Sequence, residues 1–295
     1  MQIHSRDAIF SRIAAGAWRL AEWGLSPRQR LDWVEACLDL GITTFDHADI
    51  YGHYTVEALF GEALALSPGL RQRMQIVSKC GIKLVGEPRP AYRIKSYDTS
   101  PGHVRASVEH SLKALRTDHL DVLLIHRPDA LMDAAELAGV FTRLRDEGKV
   151  LHFGVSNHTP AQFALLNAHI PLVTNQIECS PLHLDPLHDG NFDQAQALGF
   201  SPMIWSPLAG GRLFTGTDEA STRVREVLSS LAGPWGTSPE AVAIAWLLRH
   251  PSRPIPVLGS RRVDAYAQAV EALRLNMDRE SWWRVWSAGA GRAVA

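Results

Sequence analysis

The sequence predicts an α/β protein, folded as a single (β/α)8 barrel domain over residues 1–295 and finished by a C-terminal helical segment. Three observations carry this. Eight short apolar runs alternate with stretches of helical spacing, which implies parallel strands joined by right-handed crossovers. Nearly every run ends in a polar residue, as strands do when their C-terminal ends share one mouth. No linker, low-complexity tract or composition shift divides the 295 residues, and one barrel of about 250 residues or more accommodates such a length. A doubly wound sheet would also alternate, but no G-x-G-x-x-G follows an early strand. The prediction is a TIM barrel.

The first run, Ile13–Gly16, leads to Trp18 and Arg19. Pro27 to Leu40 shows helical spacing at Leu31, Val34 and Leu38, with Pro at its start and Gly41 beyond its end, the expected punctuation. A strand over Ile42–Phe45 follows, then a helix from about Thr55 to Leu66. The strand Ile76–Lys79 precedes a long loop over roughly 83–100 and a helix opening at Ser100-Pro101, with Val104, Val108, Leu112 and Leu115 on one face. Asp121–Ile125 is a strand and Asp133–Gly148 a helix. The strand Leu151–Val155 ends in Ser156-Asn157, and Thr159-Pro160 caps the next helix. A strand around Thr174–Gln176, a short helix Asn191–Leu198 and a strand Pro202–Trp205 come next. Helices over about Ser221–Leu231 and Ser238–Arg249 lead to the last strand, Ile255–Leu258, and the helix Asp264–Leu273. An amphipathic piece near Asp278–Ser287 carries Trp282, Trp283 and Trp286.

Composition removes whole classes of function. Hydrophobic residues make up 46% of the chain and the net charge is -1. No basic stripe is present to bind nucleic acid, and no acidic block to act as a solvating tail. Three widely spaced cysteines, Cys37, Cys80 and Cys179, form neither a metal pair nor a disulfide framework, so a cytoplasmic setting is expected. All three read as small buried hydrophobes. The N-terminus lacks the apolar core of a signal peptide, and Ala241–Leu248 falls well short of the roughly 20 residues a membrane span needs.

Three successive strands end in Asp46, Lys79 and His126, and Tyr51 follows Asp46 in the loop. A phenol has a pKa of about 10. A neighbouring Lys79 ammonium would favour the phenolate and lower that value, with Asp46 balancing the lysine. His126 could hold a carbonyl oxygen or pass a proton through Tyr51. Such a group protonates an oxyanion as it forms, which carbonyl reduction requires. A Lys–Asp ion pair with an incidental Tyr and His also fits this spacing. So does a metal site drawing on Asp46, His47, Asp49, His53, His126 and His183, but no H-x-H ends the first strand and Lys79 would put a cation among the ligands. No metal is expected, and the histidines other than His126 read as surface groups or neighbours of the site.

The stretches Gly41–Gly52, Ile76–Lys79, Leu123–Pro128 and Gly148–Asn157 resemble the aldo-keto reductase family, over about Gly16 to Leu273. Asp46–Gly52, Leu124–Asp129 and Trp205–Leu208 are similar to a bacterial branch of NADP-linked oxidoreductases within it. The resemblance implies a catalytic tetrad of Asp46, Tyr51, Lys79 and His126, with Tyr51 as general acid. It further implies that Ser156, Asn157 and Gln176 hold a nicotinamide carboxamide and that Trp205 stacks on the ring. Ser206, Pro207, Leu208, Gly210 and Arg212 fall in the loop around the diphosphate. Gly259, Ser260, Arg261 and Arg262 match the site for an adenosine 2′-phosphate, so NADPH/NADP+ is the expected cofactor. A hydroxyl and two guanidiniums at a helix start suit a phosphate on physical grounds as well. Trp18 and Arg19 are expected beside the cofactor or substrate.

The chain departs from the family pattern at two places. His47 stands where the family commonly has a small Thr or Ser. The final helix has Ala265, Gln268 and Ala269 where the family often has an Arg before a Glu-Asn pair, so Gln268 and the two arginines are expected to serve the adenosine end. The expected activity is NADPH-dependent reduction of an aldehyde or ketone. A cofactor-binding regulatory subunit of the same fold is the alternative. The partner is a small carbonyl compound, with no nucleic acid or membrane, and a monomer is the default. The loop Lys83–Ser100, with Pro88, Pro90, Tyr92 and Tyr97, and the segment with Trp282, Trp283 and Trp286 are expected to shape the pocket and to favour an apolar or aromatic substrate.

Overall fold

The computed structural model describes residues 1–87 and 90–295; Pro88 of the expected pocket loop lies outside them. The chain opens with a hairpin the sequence reading did not anticipate, β1 (Gln2–Ser5) paired antiparallel to β2 (Ala8–Ser11). The signal was the alternation on either side of Arg6-Asp7: Ile3, Ala8 and Phe10 are buried, while Gln2, His4 and Ile9 are exposed. The eight barrel strands and their helices follow. They are β3 (Ala14–Gly16), α1 (Pro27–Asp39), β4 (Thr44–Asp46), α2 (Val56–Leu64) and β5 (Gln75–Cys80). A small hairpin, β6 (Ile82–Lys83) and β7 (Ser96–Tyr97), interrupts the order before α3 (Pro101–Leu115). Next come β8 (Leu120–Ile125), α4 (Ala134–Asp146), β9 (Val150–Ser156), α5 (Pro160–Asn167), β10 (Leu172–Glu178) and α6 (Asn191–Leu198). The chain ends with β11 (Met203–Trp205), α7 (Arg212–Thr215), α8 (Glu219–Trp235), α9 (Pro239–Leu248), β12 (Ile255–Leu258), α10 (Val263–Glu271) and α11 (Arg279–Ala290).

Strands β10, β11, β12, β3, β4, β5, β8 and β9 close into a parallel barrel in that order. The fold is the (β/α)8 barrel expected. Inside it Ala14, Val77, Val122, Leu124, Val173, Met203, Ile255 and Val257 form one apolar layer, together with Ile3, Ala8 and Phe10 of the hairpin. The hairpin therefore plugs the end where the strands begin. Ser5 fixes it there, its hydroxyl donating to the Val173 carbonyl and accepting from Ser201 N–H at 2.8 Å. Side chains of alternating parity point outward, where Phe45, Ile76, Leu123 and Phe153 meet the helices.

The helix starts are locally encoded. Ser26 and Gln29 close a capping box at α1, and Thr159 and Gln162 close another at α5. Helix α11 packs its aromatic face onto the barrel's outer shell. Trp246 and Trp282 stack with ring centres 5.2 Å apart and exchange indole N–H bonds to each other's backbone carbonyls at 3.1 Å. No helix of the described residues is long and apolar enough to cross a membrane.

Candidate active site

Strand order and side-chain alternation converge at the mouth. On β4, Thr44 and Asp46 point inward while Phe45 points out. On β5, Val77 and Lys79 point inward while Ser78 turns to the helices and donates to Glu57 at 2.6 Å. Lys79, 1% exposed, lies below the mouth against Asp46, which is 3% exposed. Its ammonium donates to both Asp46 oxygens at 2.8 Å, to the His47 carbonyl at 2.7 Å and to the Tyr51 hydroxyl at 3.1 Å. Gln176 Nε2 reaches across the barrel to Asp46 Oδ1 at 2.8 Å. His126, at the end of β8, sets its ring edge-on to Tyr51 at 5.9 Å. The four tetrad residues are thus one contiguous group.

A left-handed turn lies just beyond Tyr51. Gly52, His53 and Tyr54 all take left-handed backbone conformations, with φ of 56, 53 and 69. Two of the three carry a Cβ, a local strain of order 1 kcal/mol each or more that the surrounding contacts must hold. Tyr54 supplies one, accepting the Leu84 N–H from the β6 end at 2.9 Å.

Protonation follows from burial and charge. Burial pushes the Tyr51 pKa above its usual value, and the opposing pull of Lys79 does not overcome it. This corrects the expectation of a lowered phenol: Lys79 acts in the anticipated direction, but desolvation is larger. The consequence suits an acid, since Tyr51 keeps its proton until negative charge develops beside it. Burial alone would lower the Lys79 pKa; Asp46 and Tyr51 raise it above the usual value, so the ammonium persists. Burial, then Lys79 and Arg127, hold His126 well below 6.5, leaving a neutral imidazole.

His47 is not a surface histidine. It is fully buried outside the barrel, its ring 4.4 Å from Phe60, and burial with the nearby Lys79 lowers its pKa to about 3. His158 is lowered to about 4, chiefly by burial. Both take up protons more readily when unfolded, so stability is lost as pH falls from about 6.5 towards these values. Glu57 works in the opposite sense, since burial raises it to about 7 and stability declines as pH rises from 4.5 to that point. The His47→Leu difference isolates one proton. Urea titrations between pH 4 and 6.5 should show the variant's stability falling less steeply, by about 1.4 kcal/mol per pH unit. Equal slopes would remove His47 from the acid response.

Above the tetrad opens a cavity of about 860 Å³. Asp46, Tyr51 and His126 line it, as do Trp18, Arg19, Ser156, Asn157, Gln176, Trp205, Ser206, Pro207, Leu208, Gly210, Gly259, Ser260, Arg262 and Gln268. Arg212 and Arg261 are not in its wall; the Arg212 guanidinium lies 3.9 Å from Asp218 at the rim. Trp282, Trp283 and Trp286 are not in it either. They pack among themselves and against Trp246 and His188, and with them the hint of an apolar substrate loses half its basis. The expected loop does contribute, through Leu84, Lys95 and Tyr97, and Ile82 just before it lines the cavity too. Arg127 was missed, although it adjoins His126, and His53, weighed only as a possible metal ligand or neighbour of the site, lines the cavity.

The wall fits a nicotinamide dinucleotide. The Trp205 indole N–H donates to Asn157 Oδ1 at 3.0 Å, Asn157 Nδ2 to Ser156 Oγ at 2.7 Å and Ser156 Oγ to the Gln176 carbonyl at 2.9 Å. This relay fixes the ring plane of Trp205 beside a row of amides. Ser206, Ala209, Gly210 and Gly211 then take left-handed conformations, and a Cβ built on either glycine would meet nothing within 4 Å. Such bare glycine backbone lets an anion come close. Among the described residues no group of three or more His, Cys, Asp or Glu side chains is placed to hold a metal ion.

Known proteins are similar to this chain in sequence and in fold. The Escherichia coli (strain K12) oxidoreductase YdhF is 52% identical over 288 residues, covering 97% of this chain and 95% of the relative. A 6-dehydroglucose reductase of Agrobacterium fabrum is 45% identical over 288 residues, covering 97% and 96%. The solved structure of a glycerol dehydrogenase from Gluconobacter oxydans superposes with a TM-score of 0.87 at 24% identity, covering 99% of this chain and 95% of that one, a likeness of fold. Residues 12–289 match the model of the aldo/keto reductase family, and the chain belongs to that family of enzymes, which act on carbonyl compounds with nicotinamide cofactors.

Proposed function

We propose that the protein reduces an aldehyde to its alcohol with NADPH, Tyr51 donating the proton. The contact of Lys79 Nζ with the Tyr51 hydroxyl, 3.1 Å long beneath the cavity floor, carries this reading. A buried phenol next to a permanent ammonium holds its proton at rest and gives it up to an oxyanion, because the ammonium stabilises the phenolate left behind. His126, a neutral donor, would hold the same carbonyl oxygen. When bound, the cofactor supplies the hydride. Ser156, Asn157 and Gln176 would grip its carboxamide, Trp205 its ring, and the turn from Ser206 to Gly211 its diphosphate.

The preference for NADPH rests on the start of α10. Ser260 Oγ accepts the Arg262 N–H at 3.0 Å, so the hydroxyl and guanidinium share one turn, and the exposed Arg261 adjoins them. Arg262 also lies 3.7 Å from Asp264 with both side chains exposed, a pair weak enough to yield to a phosphate. For the substrate, similarity to 6-dehydroglucose reductases supports a polyhydroxylated aldehyde over the apolar one first expected. NADPH oxidation followed by absorbance, with sugar-type, aliphatic and aromatic aldehydes and with NADH in parallel, tests the whole reading. Aldehyde-dependent oxidation that favours NADPH is the expected result. Cofactor binding without oxidation would overturn it in favour of the regulatory role.

A further inference from the structure

We infer that Arg127 determines substrate choice, its guanidinium reading an acceptor oxygen on the carbon next to the reacting carbonyl. The inference rests on the reductase reading and adds the feature that the substrate must carry. Arg127 directly follows His126, whose N–H donates to the Cys80 carbonyl at 2.8 Å, so one strand end positions both. Its guanidinium carbon lies 5.8 Å from the centre of the Trp205 ring, and the side chain lines the cavity. Its charge acts on Tyr51 and on His126 alike, pulling both towards a lower pKa.

This guanidinium is unspent. Three buried or half-buried cations of the barrel are matched, Arg71 with Asp121 at 2.7 Å, Arg30 with Glu62 at 3.0 Å and Lys79 with Asp46 at 2.8 Å, whereas Arg19 of the same cavity has, among the described residues, only the Trp18 ring. Among the described residues Arg127 makes no ion pair and donates no hydrogen bond; its guanidinium has the Trp205 face instead. Asp46 cannot serve it, being held by Lys79 and Gln176, and Glu22 at the entrance is exposed to water. A planar fork of N–H donors left open in a site that substrate will dry must be met by substrate oxygen. With the carbonyl oxygen committed to Tyr51 and His126, the neighbouring carbon is the place for it. The cavity wall also carries Trp18, Ile50, Ile82 and Leu84, chiefly carbon surfaces, with His53, Lys95 and Tyr97 as further polar side chains. An alkyl group facing Arg127 would leave its donors unpaired, a penalty hydroxylated substrates escape.

The test compares glyceraldehyde, which carries the adjacent hydroxyl, with propanal, which does not, through kcat/KM in the wild type, Arg127→Met and Arg127→Lys. The wild type should favour glyceraldehyde by about 10- to 100-fold. In Arg127→Met the ratio should collapse towards one, and in Arg127→Lys, which keeps the charge without the fork, it should fall between. An unchanged ratio in Arg127→Met, or no preference in the wild type, would overturn the assignment while leaving the reductase reading standing. A changed NADPH KM with an unchanged ratio would reassign Arg127 to the cofactor and overturn it too. Wild-type inactivity on both aldehydes would bring down the reductase reading and this assignment with it.

Discussion

Tyr51→Phe should lower turnover by about 10²–10⁴-fold, the range a positioned general acid supplies. Only the hydroxyl is removed, and the ring stays packed against His126. NADPH affinity should change little, because no Tyr51 contact runs to Ser156, Asn157 or Trp205. Steady-state kinetics beside a fluorescence titration of the cofactor separates the two. A fall in kcat with unchanged cofactor affinity marks a group used only as the reaction proceeds. Turnover within twofold of wild type would dismiss Tyr51 as the acid.

Lys79→Met has the largest expected effect on stability. The substitution keeps much of the side chain's volume but leaves Asp46 buried, with Gln176 as its remaining side-chain donor. Breaking a buried ion pair from one side costs about 3–5 kcal/mol, since the survivor must be neutralised or left uncompensated. The His47 carbonyl and Tyr51 hydroxyl lose their partner as well. Urea denaturation at pH 7 measures the loss, and activity should vanish with it. The double variant Asp46→Asn/Lys79→Met should recover part of the stability and none of the activity. If the double variant is as unstable as the single one, the loss comes from packing and not from the orphaned carboxylate.

Much of this was legible in the residues. The places of Asp46, Lys79 and His126 at strand ends were read directly, and their gathering at one mouth followed from the barrel. Ser156, Asn157, Gln176 and Trp205 took their roles from resemblance; their linkage into one relay needed coordinates, because it joins three different strands. The direction of the Tyr51 shift was read wrongly because proximity to Lys79 shows in the spacing while depth of burial does not. The tryptophans of α11 misled for a related reason, since helical spacing marks an apolar face without saying which surface receives it. The opening hairpin escaped notice because two four-residue strands hardly register against the longer periodic stretches that follow.

The bond from Gln176 to Asp46 has a consequence for how the protein is made. It joins β10 to β4 over 130 residues of chain, and four steps around the barrel separate those strands. Bringing such distant segments together carries an entropic cost that local helix contacts do not. A nascent chain that ends before β10 can hold Lys79 against Asp46, yet it lacks the amide that completes the carboxylate's surroundings. On the mechanism proposed above, catalytic competence would arrive with ring closure, and half-built barrels would carry the acid's residues without a working acid.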